Sequence, residues 1–188
     1  MRNHYQSIFV GLIILMSIGT VQAADLKEGF MDTKWQTDLN SLANFLKVEE
    51  KDNVSYFVNP TVMHVIDDVK IPQVIYAAYQ NKFFAVYIEI DTFDVYNQMK
   101  HYITEKYGRP KMTMQINPDR TTYTWKYSPA KIKLKLNEET GKMKLAFYYT
   151  PLSTKVNEAR QEAYHEKTKP FLDFDKERAV QSLDLLKF

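Results

Sequence analysis

Residues 121–137 read Thr-Thr-Tyr-Thr-Trp-Lys-Tyr-Ser-Pro-Ala-Lys-Ile-Lys-Leu-Lys-Leu-Asn. Tyr123, Trp125 and Tyr127 alternate with Thr122, Thr124 and Lys126, and Ile132, Leu134 and Leu136 alternate with Lys131, Lys133 and Lys135. A period of two puts one set of side chains on a buried face and the other in water, which is the pattern of antiparallel strands. Ser128-Pro129 supplies the turn between them. The same alternation extends outward on both sides. Met112, Met114 and Ile116 alternate with polar residues upstream, before a turn at Asn117-Pro118-Asp119. Downstream, Asn137 to Gly141 reads as a turn into a fourth strand, Lys142 to Thr150. The stretch therefore predicts a four-stranded antiparallel meander.

Working toward the N-terminus, Asp91 reads as the cap of a helix with Asp94 in its first turn, where an acid suits the helix dipole. Tyr96, Met99, Ile103 and Tyr107 share one face, and Gly108 and Pro110 close the helix. Two strands, about 73–80 and 83–90, precede it with a turn at Gln80-Asn81-Lys82. Simple alternation in the second puts Phe84, Val86, Ile88 and Ile90 on one face and Phe83, Ala85 and Tyr87 on the other. Val54 to Val58 reads as a strand ended by Pro60, with a loop carrying Asp67, Asp68 and Pro72 after it. Before these, Thr37 reads as the N-cap of an amphipathic helix over 38–47 with Leu39, Leu42, Ala43 and Leu46 at helical spacing. Beyond Pro151 a charged helix is predicted over 153–168, and a last helix over 175–187 after Pro170. The order is helix, three strands, helix, four strands, helix. This predicts an α+β fold, an antiparallel meander with its helices packed on one face, in two halves that each run from a helix into strands.

Residues 1–23 read as a cleavable export signal of bacterial type. One basic residue, Arg2, precedes an apolar run from Ile8 to Ile18, and Val21-Gln22-Ala23 places small residues at −3 and −1 of a cut before Ala24. The run is about half the roughly 20 apolar residues a membrane-spanning helix requires. The expected organisation is a signal over 1–23, one domain over 24–170 and a helical tail over 171–188, with the product periplasmic or secreted and not membrane-spanning after cleavage. Loss of Arg2 leaves 24 Lys+Arg against 23 Asp+Glu, a net charge near zero that does not mark a nucleic-acid binder. With no cysteine, disulfides, a thiol nucleophile, a lipid anchor on an N-terminal cysteine, Fe–S clusters and attached haem are all excluded.

Short motifs add a resemblance: Gly29-Phe30 followed by Trp35, Ile75 to Tyr79, Phe83 to Val86, Glu105-Lys106-Tyr107-Gly108-Arg109-Pro110, and Tyr123-Thr124-Trp125. Together they resemble a family of small exported bacterial domains that open with a Gly-Phe-Arg-x-x-x-Trp-Gly element. The likeness covers about residues 29–152, with Met31 and Gln36 standing where that family has Arg and Gly. It implies export and implies no activity, because the family has none established, so no residue role carries over. The element order also resembles the helix-plus-meander pattern of the β-lactamase-inhibitor-protein and outer-membrane assembly lipoprotein folds.

No catalytic or cofactor motif emerges. The histidines are scattered, no Gly-x-Ser-x-Gly is present, and neighbouring acids such as Asp67-Asp68 suit a solvated loop. Three features carry chemistry. Met112 and Met114, two apart on a strand, form a soft pair suited to Cu(I), although Ile116 continues their face and an ordinary core role explains them. Lys131, Lys133 and Lys135, with Lys126 and Lys144 on flanking strands, form a basic stripe that could hold a surface polyanion, or simply guard a sheet against aggregation. Val180, Leu183 and Leu186 line one side of the predicted last helix, a candidate contact surface. The expected function is non-enzymatic and without cofactor: binding of an envelope protein or surface polyanion, with carriage of a small apolar or anionic ligand as the alternative.

Overall fold

The computed structural model describes residues 25–66, 69–71, 73–116 and 119–164. The export segment and the predicted helix with Val180, Leu183 and Leu186 lie outside the described residues. Strands β1 (Gly29–Phe30) and β2 (Thr33–Lys34) form a small ribbon, and β5 (His64–Ile66) and β6 (Val69–Ile71) form another. The main sheet comprises β3 (Leu46–Lys51), β4 (Val54–Val58), β7 (Val74–Tyr79), β8 (Lys82–Ile90), β9 (Lys111–Ile116), β10 (Asp119–Tyr127), β11 (Ala130–Asn137) and β12 (Met143–Tyr149). Its order is β3-β4-β7-β8-β12-β11-β10-β9, antiparallel throughout. Helix α1 (Phe93–Tyr107) carries the chain from β8 at the centre to β9 at the far edge, and the meander then returns strand by strand until β12 pairs with β8. Helix α2 spans 150–164, with Pro151 in its first turn, where a missing N–H costs nothing.

The expected helix–three strands–helix–four strands–helix order with helices on one face is therefore overturned. The protein is built mainly on an eight-stranded antiparallel sheet, with two α-helices among the described residues, and those two pack on opposite faces. The first-face core collects Val95, Tyr96, Met99 and Ile103 of α1 with Trp35, Phe83, Val86, Trp125, Ile132 and Leu134. The second-face core is smaller: Leu152 and Val156 of α2 against Val54, Ala77, Phe84 and Ala85.

The predicted helix over 38–47 fails for a local reason. Asp38, not Thr37, is the cap, its side chain accepting from the Asn40 backbone N–H, and only a single 3-10 turn, Leu39–Ser41, follows before Leu42 returns to extended geometry. Leu39 is fully buried whereas Leu46 is 54% exposed, so their spacing marks no common face. Residues 46–51 instead pair with β4 through a two-residue turn in which Asp52 (φ 53°) and Asn53 (φ 59°) are both left-handed, the type I′ geometry that matches strand twist. Gln80 (φ 50°) and Asn81 (φ 62°) join β7 to β8 in the same way. Helix α1 begins one residue later than expected, because Thr92 and not Asp91 accepts the Val95 N–H through its hydroxyl.

The pairing shifts by one residue between Ala77 and Ala78, which leaves Phe84 as the extra residue of β8. Such a bulge turns side chains to the other face. Phe83 thus joins Val86, Ile88 and Ile90 in the first core, while Phe84 joins Ala85 and Tyr87 on the second face. Met112 and Met114, read as core, are 52% and 63% exposed. Their strand is the sheet edge, and α1 packs over β8 and β10 instead.

Gly29 shows how tightly the β1–β2 ribbon is closed. A Cβ there would lie 2.2 Å from the Thr33 carbonyl oxygen and 2.8 Å from the Lys34 Cα, both backbone atoms that cannot swing aside. A Gly29→Ala protein should lose about 1–3 kcal/mol by denaturant melting, the usual cost of overpacking. An unchanged midpoint would show that the ribbon adjusts freely.

Candidate functional site

Burial of Ile132 and Leu134 in the first-face core obliges Lys131, Lys133 and Lys135 to point to the second face. Register then gathers the remaining lysines around them: Lys126 stands opposite Lys131 on β10, and Lys144 opposite Lys135 on β12. The five lysines singled out by sequence thus share one face of three adjacent strands. Beyond them on β8, Lys144 faces Glu89, while Ala146 and Ala85 are small, buried residues in the rows of Lys133 and Lys131.

Helix α2 makes one wall of this face. Ser153, Val156, Asn157 and Arg160, at helical spacing, meet Phe84, Tyr87, Tyr148 and the three β11 lysines around a groove of about 190 Å³. At one end, Arg160 donates from Nη2 to the Tyr56 hydroxyl at 3.2 Å, and its Nε lies 3.8 Å from Asp52 Oδ2. Tyr56, Tyr87 and Tyr148 follow in sequence across the face, with ring centroids 6.5 and 5.8 Å apart. The Lys131 ammonium sits 5.4 Å from the Tyr148 ring centre, within reach of a cation–π contact.

Electrostatically the groove is a concentration of positive charge. Burial, then the neighbouring Lys133, pushes the Lys131 pKa down. Burial, then Lys133, Arg120, Lys144 and Lys131, does the same to Lys135. The charges acting on both lysines are all cations, and among the described residues no carboxylate forms an ion pair with Lys131, Lys133 or Lys135. Such a cluster gains from any anion that enters, since the anion relieves both repulsion and desolvation. Burial also pushes Tyr148 up to about 12 and raises Tyr87 still further, with Tyr148 and Tyr56 adding to the effect on Tyr87. These phenols are neutral hydrogen-bonding groups at any physiological pH.

Tyr76 and Tyr96 are likewise pushed to about 12, chiefly by burial, which gives a pH prediction. An unfolded tyrosine ionises near pH 10, so below that value both states hold the proton and these residues cost nothing. Between about pH 10 and 12 the unfolded chain releases the proton first, and stability falls as pH rises through that window. Alkaline titration followed by phenolate absorbance should show a late tyrosine fraction ionising together with unfolding. Ionisation of every tyrosine near pH 10 in the folded protein would contradict the packing described.

Of the other sequence candidates, Met112 and Met114 stand apart from this groove, and Val180, Leu183 and Leu186 lie outside the described residues. Met112 and Met114 project from edge strand β9 opposite Tyr123 and Thr121. The ring beside them is Tyr123, over which the Lys100 ammonium already sits at 4.0 Å, an unfavourable neighbour for a second cation. The Trp125 indole is buried and its Nε1 donates to the Gly108 carbonyl at 2.9 Å. Among the described residues no cluster of three or more His, Cys, Asp or Glu is placed to hold a metal, and no helix is long and apolar enough to cross a membrane.

Sequence reasoning missed Tyr87, Tyr148, Asn157 and Arg160. Strand parity marks the tyrosines, since Tyr148 is the partner of Lys131. The Ser153, Val156, Asn157, Arg160 spacing marks one helical face, but that α2 covers the lysine face and not the opposite one is a tertiary fact. Comparison of the chain with family models, curated proteins and solved structures finds no match in any of the three.

Proposed function

We propose that the protein is an exported, non-enzymatic binding module of the cell envelope that engages multivalent anionic groups, on a surface polymer or a partner, through the lysine face of its sheet. The observation that supports this most is the register-fixed assembly of Lys126, Lys131, Lys133, Lys135 and Lys144 beside α2, with no carboxylate among the described residues paired to the β11 lysines. A net charge near zero would give little general affinity for anions, so binding must come from this local field. Retention on immobilised dextran sulfate tests it. The protein should be retained at low salt and eluted as screening rises, and a variant with Lys27, Lys100 and Lys106 replaced by alanine, matched in charge loss but standing over Tyr127, Tyr123 and Tyr107 on the opposite face, should elute with the parent. Equal weakening by those distant replacements would reduce the effect to net charge.

Carriage of a small anionic ligand is the second reading, favoured by the 190 Å³ groove itself. Export rests on Arg2, the Ile8 to Ile18 run and Val21-Gln22-Ala23. N-terminal sequencing of the protein released from the envelope should begin at Ala24, and an intact Met1 on membrane-held protein would overturn it.

A further inference from the structure

Resting on the reading of the lysine face as an anion site, we infer that the groove between α2 and β11 seats one segment of an acidic glycan, a sugar polymer bearing carboxylates, running along β11. The lysines set the direction. Lys131, Lys133 and Lys135 lie two residues apart on one strand, and a strand rises about 3.3 Å per residue, so their anchor points repeat at roughly 7 Å in a line. A linear ligand with regularly placed charges meets that array in a way a compact anion cannot.

Groove size points to a segment of something longer. At about 190 Å³ it falls below the roughly 300–1,000 Å³ of sites that enclose a drug-sized ligand. Its lining is mixed in the way a sugar requires. The Ser153 hydroxyl, Asn157 amide, Arg160 guanidinium and tyrosine hydroxyls offer hydrogen bonds, while Tyr87, Tyr148 and Val156 offer apolar edges for ring C–H groups. A flat lipid surface would reach the lysines but not the recess walled by α2. A single-stranded nucleic acid would need protruding rings on which bases stack. Here Phe84 is buried and Tyr87 and Tyr148 are half-buried, so the rings form a floor and not a platform.

The test uses a hexamer of galacturonic acid as probe, with a neutral glucose hexamer, anionic phospholipid vesicles and a single-stranded oligonucleotide as comparisons. Two variants are made. Asn157→Trp, at an exposed α2 position, fills the groove while leaving every lysine in place, and Lys133→Ala removes the central charge; thermal melting verifies that both fold. The hexagalacturonate should bind the parent, lose at least tenfold in affinity with Asn157→Trp and about two- to fivefold with Lys133→Ala, and outcompete the neutral hexamer. Dextran sulfate retention should survive Asn157→Trp.

Binding of dextran sulfate without binding of hexagalacturonate, or hexagalacturonate binding indifferent to Asn157→Trp, overturns the glycan seat and leaves the anion face standing. Loss of both dextran sulfate and hexagalacturonate binding in the parent overturns both. Equal binding of the neutral hexamer or the oligonucleotide, or vesicle binding abolished by Asn157→Trp, overturns the assignment to an acidic glycan.

Discussion

Replacement of Trp125 by alanine is expected to lower stability by about 3–5 kcal/mol, the largest single effect foreseen for this chain. The side chain is only 1% exposed and lies in the first-face core with Ile132, Leu134 and α1 residues Met99 and Ile103. Two losses combine. The indole leaves a void that its neighbours, set on rigid strands and a helix, cannot close. The Gly108 carbonyl at the end of α1 also loses its Nε1 donor, at about 1–3 kcal/mol if it stays dry. Trp125→Phe weighs the two, since it removes the hydrogen bond while leaving a smaller void than alanine does. Denaturant midpoints should fall in the order parent, Trp125→Phe, Trp125→Ala. With total stabilities of about 5–15 kcal/mol usual for a domain, the alanine protein should be close to unfolding, and a midpoint equal to the parent's would show that α1 does not pack there.

The second large effect concerns binding, not folding. Joint replacement of Lys131, Lys133 and Lys135 by alanine should weaken retention of a polyanion by about 10–100-fold. This follows from roughly 0.5–1 kcal/mol for each partly exposed charge contact, summed over three. The difference should shrink as salt rises. Stability should hardly change, because the three charges repel one another and find no carboxylate partner among the described residues. Affinity measured by titration at two salt concentrations, with a melting curve for each protein, checks both halves. A variant that loses stability while keeping its affinity would assign the lysines a structural role.

These two effects fall where the sequence was most and least informative. The meander of residues 111–150 is legible because its first three strands alternate and each turn carries proline, asparagine or glycine, so Trp125, Ile132 and Leu134 declare their face without tertiary help. Helix α1 is legible for a similar reason, with Gly108 (φ +82°) at its end. Helix 38–47 misled because three leucines and an alanine fell at helical spacing by coincidence, whereas the stronger signal, Asp52-Asn53 between two strands, lay just beyond. The bulge at Phe84 left no mark, since Phe83 and Phe84 are chemically identical and only pairing with Ala77 and Ala78 decides which of them joins the core under α1 and which the core under α2. For the site, alternation placed the lysines on one face but could not say what stands over it. The groove depends on α2 lying on the side opposite α1, a choice made by Leu152 and Val156 finding Phe84 and Ala85, contacts about 70 residues apart in the chain.

An anion site formed jointly by the lysine strand and α2 is the centre of the proposed function. Backbone amide chemical shifts followed by NMR during titration with hexagalacturonate or a short dextran sulfate test it residue by residue. Saturable shifts should concentrate at Lys131 to Lys135, Tyr87, Tyr148, Asn157 and Arg160, with α1 and β9 unaffected. Shifts confined to α1 or to the Met112–Met114 edge, or none at all, would contradict it.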